Sequence, residues 1–411
     1  MEKAKQAVNI PDLHSFSFIG DPGCDGLGTE IMSIFHLALR NASGDIILIG
    51  GDIVPNGSRQ FYENVIHMVD GVSEKPVYMI CGNHDTDDYE NYFGEKNYFI
   101  YSDNLLLVVL DNSKRAFSEQ ALELLTLALK DYNRGTIVIT FHIPPPNHFI
   151  KNSVSQDEWN KVLNIILPFK DNVKYILCSH IHSYFEDNVD GIKMIASGGG
   201  GARIEEVNGI VTPCNHWIEF FFDDQNTLQH KVRNVSLKDQ PRNIPVEVKN
   251  AFSGAFANEC GAHVLYRIFA EDAMKQGKKG VAKLFLAASD AEFYHARNHY
   301  YTMGAFKDTQ GALVQSIEKE DFEISKFYKD CIELSGKMGD GLAVYAFHDA
   351  MEAEKVHKNL MEKALEALEN GNDFSDARYF TCTSCGYTFS GTENPKRCPI
   401  CGAPNDKIKE V

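Results

Sequence analysis

The chain lacks any long apolar run. The longest one, Leu105 to Leu110, is far too short to cross a bilayer, which needs about 20 residues. The first ten residues, MEKAKQAVNI, hold no apolar segment of signal-peptide length, so we expect a cytoplasmic protein. Positive charge is also scarce, since 57 Asp and Glu outnumber 40 Lys and Arg and the net charge is −17. This balance argues against a membrane binder or a general nucleic-acid binder.

Proline is absent between residues 250 and 371, although the chain holds 14 prolines. Helical periodicity dominates this stretch, and glycines interrupt it near 277–280, 304–311 and 336–341. The pattern predicts four helices joined by short turns, which is typical of an antiparallel bundle.

Before residue 235, short apolar runs alternate with amphipathic stretches, which predicts an α/β layered domain. Candidate helices lie near 28–41, 58–70, 118–132 and 156–167. Candidate strands are Phe16–Ile19, Ile46–Ile49, Val77–Ile80, Leu105–Leu110, Ile137–Phe141, Tyr175–Cys178, Met194–Ala196 and Trp217–Phe222.

A chain of 411 residues is expected to form two or three domains. The changes in pattern predict an α/β domain over 1–235, a linker over 236–249, a helical bundle over 250–373 and a small domain over 374–411. The last piece is rich in Cys, Gly and Pro and is too short to bury a core, so we expect it to need a metal to fold.

Acidic and imidazole side chains recur at matching offsets on the four predicted helices. Residues three apart share one helix face, and the set comprises Glu259, Glu292, His295, Glu320, Glu323, Glu354 and His357. Any one of them could be a solvated charge on an amphipathic helix. Seven on four successive helices favour a carboxylate-bridged di-metal centre, because carboxylates at this density cannot stay charged in a core without a cation.

The C-terminal piece carries two Cys-x-x-Cys motifs separated by twelve residues, namely Cys382, Cys385, Cys398 and Cys401. This spacing is typical of a tetrahedral thiolate site. Thiolates hold zinc structurally or a single iron for redox chemistry, so the spacing leaves both metals open.

Residues 250–411 resemble rubrerythrin, a ferritin-like di-iron four-helix bundle followed by a rubredoxin-like domain. The seven bundle residues match its ligand positions, and CTSCGY and CPICG match the rubredoxin-like knuckles. The resemblance implies two irons in the bundle, iron rather than zinc in the four-cysteine site, and Tyr266 and Tyr328 as tyrosines that hydrogen-bond ligand carboxylates. It further implies a homo-oligomer that reduces hydrogen peroxide with electrons from a reductase, relayed by the rubredoxin-type iron.

The α/β domain carries polar motifs directly after its predicted strands. They are Asp21 in IGDPG, Asp52 in GGDIVPNG, Asn83, His84 and Asp85 in GNHD, His142 in FHIPP, and His180 and His182 in SHIH. Each motif alone is weak. Together, the Asp, Asn and His side chains suit two divalent ions such as iron, manganese or zinc.

These motifs resemble the calcineurin-like metallophosphoesterases, over about residues 12–232, and imply their αββα sandwich and a phosphoester substrate. By that resemblance Asp52 bridges two metals. Asn83, His142 and His180 complete one site, and Asp21 and His182 belong to the other. His84 does not bind metal but protonates the leaving oxygen, with Asp85 as a supporting acidic neighbour.

One position departs from that family. Asp-x-His is its usual first motif, but this chain has Asp21-Pro22-Gly23, and Pro55 stands where one branch has a tyrosine ligand. One metal therefore lacks a ligand, which Cys24, Asp25 or water could supply, and we expect water or Asp25 because a thiolate is easily oxidised.

Two alternatives stay open from the sequence. The N-terminal domain could be a metal-poor, non-catalytic scaffold or peroxide sensor, and the bundle could store or oxidise iron. The glycine run SGGGG at 197–201 could bind an anion, although a tight turn beneath the metal site is the simpler interpretation.

Overall fold

The computed structural model spans the chain and describes every residue except 133–134, 208, 211, 213, 238–243, 306 and 375–377. The chain divides into two compact units, Met1–Ala305 and Phe306–Val411. The predicted fold class is confirmed: an α/β sheet domain, a helical bundle region and a small Cys-rich domain follow one another along the chain. The predicted domain boundaries stay a prediction, and 238–243 of the predicted linker lie outside the described residues.

The first unit contains two sheets. One has the strand order β1-β5-β6-β7-β8-β10-β9 and the other β12-β11-β2-β3-β4. The strands are β1 (Ala7–Asn9), β2 (Ser15–Ile19), β3 (Ile46–Ile49), β4 (Val77–Met79), β5 (Tyr98–Tyr101), β6 (Leu105–Val109), β7 (Thr136–Thr140), β8 (Val173–Cys178), β9 (Tyr184–Val189), β10 (Ile192–Ser197), β11 (His216–Phe222) and β12 (Leu228–Asn234).

Alternate residues of these strands pack into different hydrophobic cores, because successive side chains of a strand point to opposite faces of the sheet. In β6, Leu105 and Leu107 pack between the two sheets, whereas Leu106 and Val108 pack under helices on the outer face. Both faces of the central strands are thus covered, which explains their continuous apolar sequence. The resulting layers are helix, sheet, sheet and helix, as the predicted αββα sandwich requires.

Within the described part of this unit, five helices cover the outer faces of the sheets: α1 (Thr29–Asn41), α2 (Arg59–Val72), α3 (Tyr89–Phe93), α4 (Glu119–Asp131) and α5 (Gln156–Ile166), the last followed by a 3-10 turn, Leu167–Phe169. Serine caps two of them, since Ser118 Oγ accepts from Ala121 N and Ser155 Oγ from Glu158 N. Such caps satisfy amides that a helix start leaves unpaired.

The first unit ends in a helical hairpin formed by α6 (Val246–Lys275) and α7 (Lys279–Thr302). Gly277, with φ +72°, makes the turn between them at a conformation that favours glycine. Small alanines lie at the hairpin contact, whereas larger apolar side chains such as Ile268 and Leu284 stay exposed.

The second unit holds α8 (Thr309–Phe322), a π-helical turn (Glu323–Phe327), α9 (Tyr328–Lys337) and α10 (Gly341–Glu369). A three-stranded sheet follows, with β13 (Tyr379–Cys382) between β14 (Thr388–Ser390) and β15 (Ile408–Glu410) and a 3-10 turn at Asn405–Lys407. Among the described residues, no helix has both the length and the apolar character that a bilayer-spanning segment needs.

Candidate metal centres

The predicted ligands of the N-terminal domain lie in loops that follow parallel strands. The pairs β2–β3 and β3–β4 of one sheet and β7–β8 of the other are parallel, so within each sheet the carboxyl ends lie at one edge, where α/β folds place ligands. Contacts between Asp52, His142 and Asn83 show that these two edges lie together. Asp21 follows β2, Asp52 follows β3, Asn83 and His84 follow β4, His142 follows β7, and His180 and His182 follow β8.

Three of these residues have left-handed backbone conformations. The φ angle is +50° at Asp21, +49° at Asp52 and +68° at His180. For residues other than glycine such conformations cost of order 1–3 kcal/mol each and gather at functional sites. Because all three are predicted ligands, backbone strain coincides with the proposed metal positions.

One ligand cluster centres on the buried His142. Its Nε2 lies 3.2 Å from Asp52 Oδ2, 3.2 Å from Asn83 Oδ1 and 3.3 Å from His180 Nδ1. The opposite nitrogen, Nδ1, donates to Gly50 O at 2.9 Å. This second contact fixes the ring and leaves Nε2 directed at the convergence point, which is how ligating histidines are commonly held.

Burial and mutual charge shift the pKa values of this cluster. The pKa of Asp52 is raised by burial, but the charge and hydrogen bond of His142 outweigh this and lower it to about 2. Burial lowers the pKa of His142, but the carboxylates Asp52 and Asp21 raise it to about 9. Burial and the charge of His142 lower the pKa of His180 to about 3. A divalent ion binds a carboxylate and a neutral imidazole, so Asp52 and His180 are already in their binding forms, whereas an ion would have to displace a proton from His142.

A second ligand cluster joins Asp21, Cys24 and His182, whose ligand atoms all lie within 4.8 Å of one another. Asp21 is fully buried, and its Oδ2 accepts from His180 N at 2.8 Å. Its Oδ1 has no hydrogen-bond partner among the described residues. Burial, together with the charge of Asp52, raises the pKa of Asp21 well above its ordinary value. An unpartnered buried carboxylate oxygen calls for a cation, so these residues fit a metal.

His84 and Asp85 have different surroundings. His84 is partly exposed, its Nδ1 donates to Pro55 O at 2.9 Å, and its Nε2 lies 3.9 Å from Asp52 Oδ2. Asp85 is buried and accepts from the backbone amides of Gly82 and Ile53. The carboxylate of Asp85 holds the backbone of the two ligand loops together, and its role as an acidic neighbour that supports His84 stays a prediction.

Sequence reasoning missed Arg115 at this edge. Its Nη2 lies 3.4 Å from His180 Nε2, and it donates to Asn152 Oδ1 at 2.6 Å. It lies in a loop after β6 with no motif around it, so only its position after a strand could have indicated it. The glycine run forms a tight turn, because the amides of Gly198 and Gly200 bond to backbone carbonyls and do not face an anion.

The bundle ligands form two groups, one in each unit. In the first unit, ligand atoms of Glu259, Glu292 and His295 lie within 4.8 Å of one another. The second unit brings Glu320, Glu354 and His357 together in the same way. In each group the histidine Nδ1 donates to the glutamate three residues earlier, at 2.8 Å for His295 and 2.7 Å for His357.

The second group shows the clearer need for a cation. Glu320 is buried and its Oε2 has no partner among the residues that the structure describes. Burial and the neighbouring Glu354 raise the pKa of Glu320 to about 7. Carboxylates that crowd together in this way fit iron or manganese, which bind carboxylates and imidazoles.

Glu323 is not one of the three residues whose ligand atoms converge, although its charge acts on Glu320. It begins the π-helical turn, and its carboxylate pairs with Lys319 Nζ at 2.8 Å. The pKa of Tyr328 is raised by burial and by the charges of Glu323 and Glu354, whereas Tyr266 packs beside Phe285. Within the described ranges, neither tyrosine donates to a ligand carboxylate in the hydrogen bonds that are seen, so that expected role stays a prediction.

The four tail cysteines meet at one point, with ligand sulfurs within 4.8 Å of one another. Cys382 Sγ lies 3.7 Å from Cys401 Sγ, and Cys385 Sγ lies 3.6 Å from Cys398 Sγ. Burial raises the pKa of Cys382, but backbone amides donated by Ser384 and Cys385 outweigh it and lower the pKa to about 7. A converging set of four thiols beside amide donors fits a thiolate-bound metal.

This geometry agrees with comparisons to known proteins. Residues 10–184 match the calcineurin-like phosphoesterase family, 250–365 match rubrerythrin, and 380–409 match the rubredoxin-like domain of rubrerythrin. The chain belongs to the rubrerythrin family and carries a calcineurin-like phosphoesterase domain in front of the rubrerythrin part. The predicted fusion is confirmed.

Two curated relatives cover the C-terminal part. Rubrerythrin-2 of Clostridium acetobutylicum is 30% identical over 183 residues, which are 40% of this chain and 99% of the relative. Nigerythrin of Nitratidesulfovibrio vulgaris is 33% identical over 166 residues, which are 37% of this chain and 80% of the relative. For the N-terminal part, a dimetal phosphatase structure from Danio rerio shares 15% identity over 54% of this chain and 96% of that chain, with a TM-score of 0.41.

Proposed function

We propose that the chain is a bifunctional metalloenzyme, a dinuclear-metal phosphoester hydrolase joined to a peroxidase that reduces hydrogen peroxide. The observation that carries the hydrolase half is the convergence of Asp52, Asn83 and His180 on Nε2 of His142. These four residues come from four different loops. Asp52 and His180 have left-handed backbone conformations, and the free energy that such strain costs is typical of a site that binds a ligand.

In the hydrolase half, Asp52 would bridge two ions, with Asn83, His142 and His180 on one side and Asp21 and His182 on the other. Iron, manganese or zinc bound there would supply Lewis acidity toward water and the phosphate oxygens. His84 would be the proton donor. Because its Nδ1 is engaged by Pro55 O, its Nε2 is the atom that can give a proton to the leaving oxygen.

Arg115 would assist by holding a phosphate oxygen. Its guanidinium reaches the same edge as His180, and its contacts to Asn152 and Ser153 fix its orientation without neutralising its charge. A charge-assisted donor beside the ligand loops is suited to an anionic substrate.

Hydrolysis of aryl phosphate monoesters and diesters tests this half, with Mn²⁺ or Fe²⁺ added to the full-length protein. We expect cleavage by the wild type and none by Asn83→Ala or His84→Ala. Metal binding without cleavage of any ester, in protein that is folded by circular dichroism, would favour the non-catalytic scaffold or sensor instead.

In the peroxidase half, we assign two irons the ligands Glu259, Glu292, His295, Glu320, Glu323, Glu354 and His357. Such a pair would supply the two electrons that convert hydrogen peroxide and two protons into two waters. The four-cysteine site would hold the iron that passes electrons in from a reductase. Membership of the rubrerythrin family supports this assignment and a homo-oligomer, and the unpartnered Oε2 of Glu320 supports the need for a cation.

Within the second unit, the rubredoxin-like domain reaches the ligand group directly. Thr388 Oγ1, at the start of β14, lies 3.1 Å from Nε2 of His357. Because the other ring nitrogen faces Glu354, this contact sets the orientation of the imidazole. Thr388 is therefore a positioning residue for the proposed peroxidase site.

Stopped-flow consumption of peroxide by the reduced protein tests this half. We expect fast oxidation by hydrogen peroxide and slow oxidation by oxygen, and loss of peroxide turnover in Glu292→Ala. Fast oxygen consumption with accumulation of ferric iron would indicate the iron-storage or ferroxidase alternative.

A further inference from the structure

Gly23 lies in a backbone position that admits no side chain. A Cβ built there would stand 2.0 Å from Ile53 O and 2.7 Å from Ile53 C, far inside contact distance. The amide of Gly23 also donates to Asp52 O at 3.0 Å, which ties the first ligand loop to the loop of the bridging carboxylate. A histidine ligand at position 23 is therefore excluded by the packing of the two loops.

The next residue occupies the gap. Cys24 Sγ lies 3.0 Å from His182 Nε2, and both residues offer ligand atoms within 4.8 Å of a carboxylate oxygen of Asp21. Asp21 is fully buried and keeps Oδ1 without a partner among the described residues. A carboxylate, an imidazole nitrogen and a sulfur thus converge on one point. A cation bound there would neutralise the buried carboxylate of Asp21.

Asp25 lies on the other side of the imidazole. Its Oδ2 is 4.0 Å from His182 Nδ1, the nitrogen opposite the one that faces Cys24. The same oxygen accepts from Arg203 N at 2.7 Å. At 4.0 Å this carboxylate makes no direct hydrogen bond to His182, and it lies on the side of the ring away from Cys24, so it is not in position to bind the same ion.

We propose that Cys24 is a thiolate ligand of the second metal position, together with Asp21 and His182. The inference rests on the proposed dinuclear site and replaces the expectation of water or Asp25 as the missing ligand. A sulfur ligand favours zinc or iron over manganese or magnesium. Binding releases the thiol proton to solvent and forms a metal–sulfur bond.

Site-resolved alkylation tests the proposal without relying on activity. Full-length protein is stripped with a chelator, incubated with or without Zn²⁺, treated with iodoacetamide and mapped by peptide mass spectrometry. We expect Zn²⁺ to slow alkylation of Cys24 by roughly tenfold or more, because a metal-bound thiolate is a poor nucleophile compared with a free one. Cys214, which is likewise partly buried and belongs to none of the candidate metal groups found among the described residues, is the matched control and should react at the same rate in both samples.

Metal analysis provides the second readout. Cys24→Ser should hold about one zinc fewer per chain than the wild type at limiting free zinc, whereas Cys214→Ser should match the wild type. Circular dichroism checks that both variants are folded. Cys24 could be alkylated equally with and without Zn²⁺ while zinc content and ester hydrolysis still depend on Asp52. That result would overturn the role of Cys24 and leave the proposed dinuclear site standing. Zinc content that is unchanged by both Cys24→Ser and Asp52→Asn would instead overturn the proposed dinuclear site.

Discussion

The two carboxylate-rich ligand sets of this chain are held in opposite ways. In the N-terminal domain the ligands come from loops anchored to buried strands, and Asp21, Asp52 and His142 are nearly inaccessible. In the helical region the ligands lie on helix faces, and the side chain of His295 is 56% exposed. The first set is preorganised by backbone packing before a metal binds, whereas the second relies on helix association and on the metal to complete its order.

The strongest way to break this contrast is to remove the bridging carboxylate. We expect Asp52→Asn to lower ester hydrolysis by roughly a thousandfold or more, because oxyanion and metal chemistry depend on that charge. Peroxide turnover should be unchanged. Steady-state assays of both reactions check this, with the exposed Asp157→Asn as control; equal loss in the control would show a general folding defect.

The corresponding change in the bundle is Glu354→Ala. This side chain bonds His357 and contacts Glu320, so its loss should reduce peroxide turnover by roughly a hundredfold or more. The visible spectrum of the rubredoxin-type iron should persist. Glu366→Ala, on the exposed face of the same helix, serves as control. Retained turnover in Glu354→Ala would remove this residue from the proposed centre.

Metal removal should sharpen the contrast between preorganised and metal-dependent ligands. When free metal is about a hundred times its dissociation constant, binding stabilises the folded site by about 2.7 kcal/mol. This free energy corresponds to a roughly hundredfold slower exchange of the amides that the site protects. We expect chelation to raise hydrogen exchange in α7 and α10 by that order and to leave β3 and β7 nearly unchanged. Mass-spectrometric exchange on matched loaded and stripped samples measures it, and equal deprotection of strands and helices would contradict the comparison.

The smallest expected effect concerns the contact between the rubredoxin-like domain and its ligand group. Thr388→Val removes the oxygen that faces His357 and should slow peroxide turnover by roughly tenfold, as losses behind a ligating histidine do. Iron content should be unchanged, and Thr388→Ser should restore the rate. Thr392→Val in the same domain is the control; an equal defect there would indicate a change in the fold of the domain.

Much of the α/β core could be predicted because its central strands are apolar on both faces. β3 is found at the predicted Ile46–Ile49, β6 ends one residue earlier than predicted, and β7 is shifted by one residue. Two of the strands that were missed, β9 and β12, are polar edge strands with sequences YFEDNV and LQHKVRN. Edge strands pair through backbone groups, which leave little signal in side-chain pattern.

In the candidate sites, too, the residues that could be predicted are those whose position follows from a buried strand. Motifs after buried strands indicated Asp52 and His142, because the position of a strand end fixes where its loop lies. The place of Cys24 could not be predicted, since it depends on how closely Gly23 packs against Ile53. The π-helical turn that begins at Glu323 could not be predicted either, because three-residue spacing assumes an uninterrupted α-helix.

The π-helical turn at Glu323–Phe327 has a consequence for how this helix can vary. A π turn accommodates a residue more than an α turn, so it changes the angular phase of all that follows by about 100°. Deleting a single amino acid there would restore regular winding and leave the face that α9 presents, Tyr328 included, nearly unchanged, because the wide turn absorbs the extra residue. Tightening the turn to an α turn without a deletion would instead rotate α9 by about 100°, so the wide turn is what keeps α9 in its present orientation.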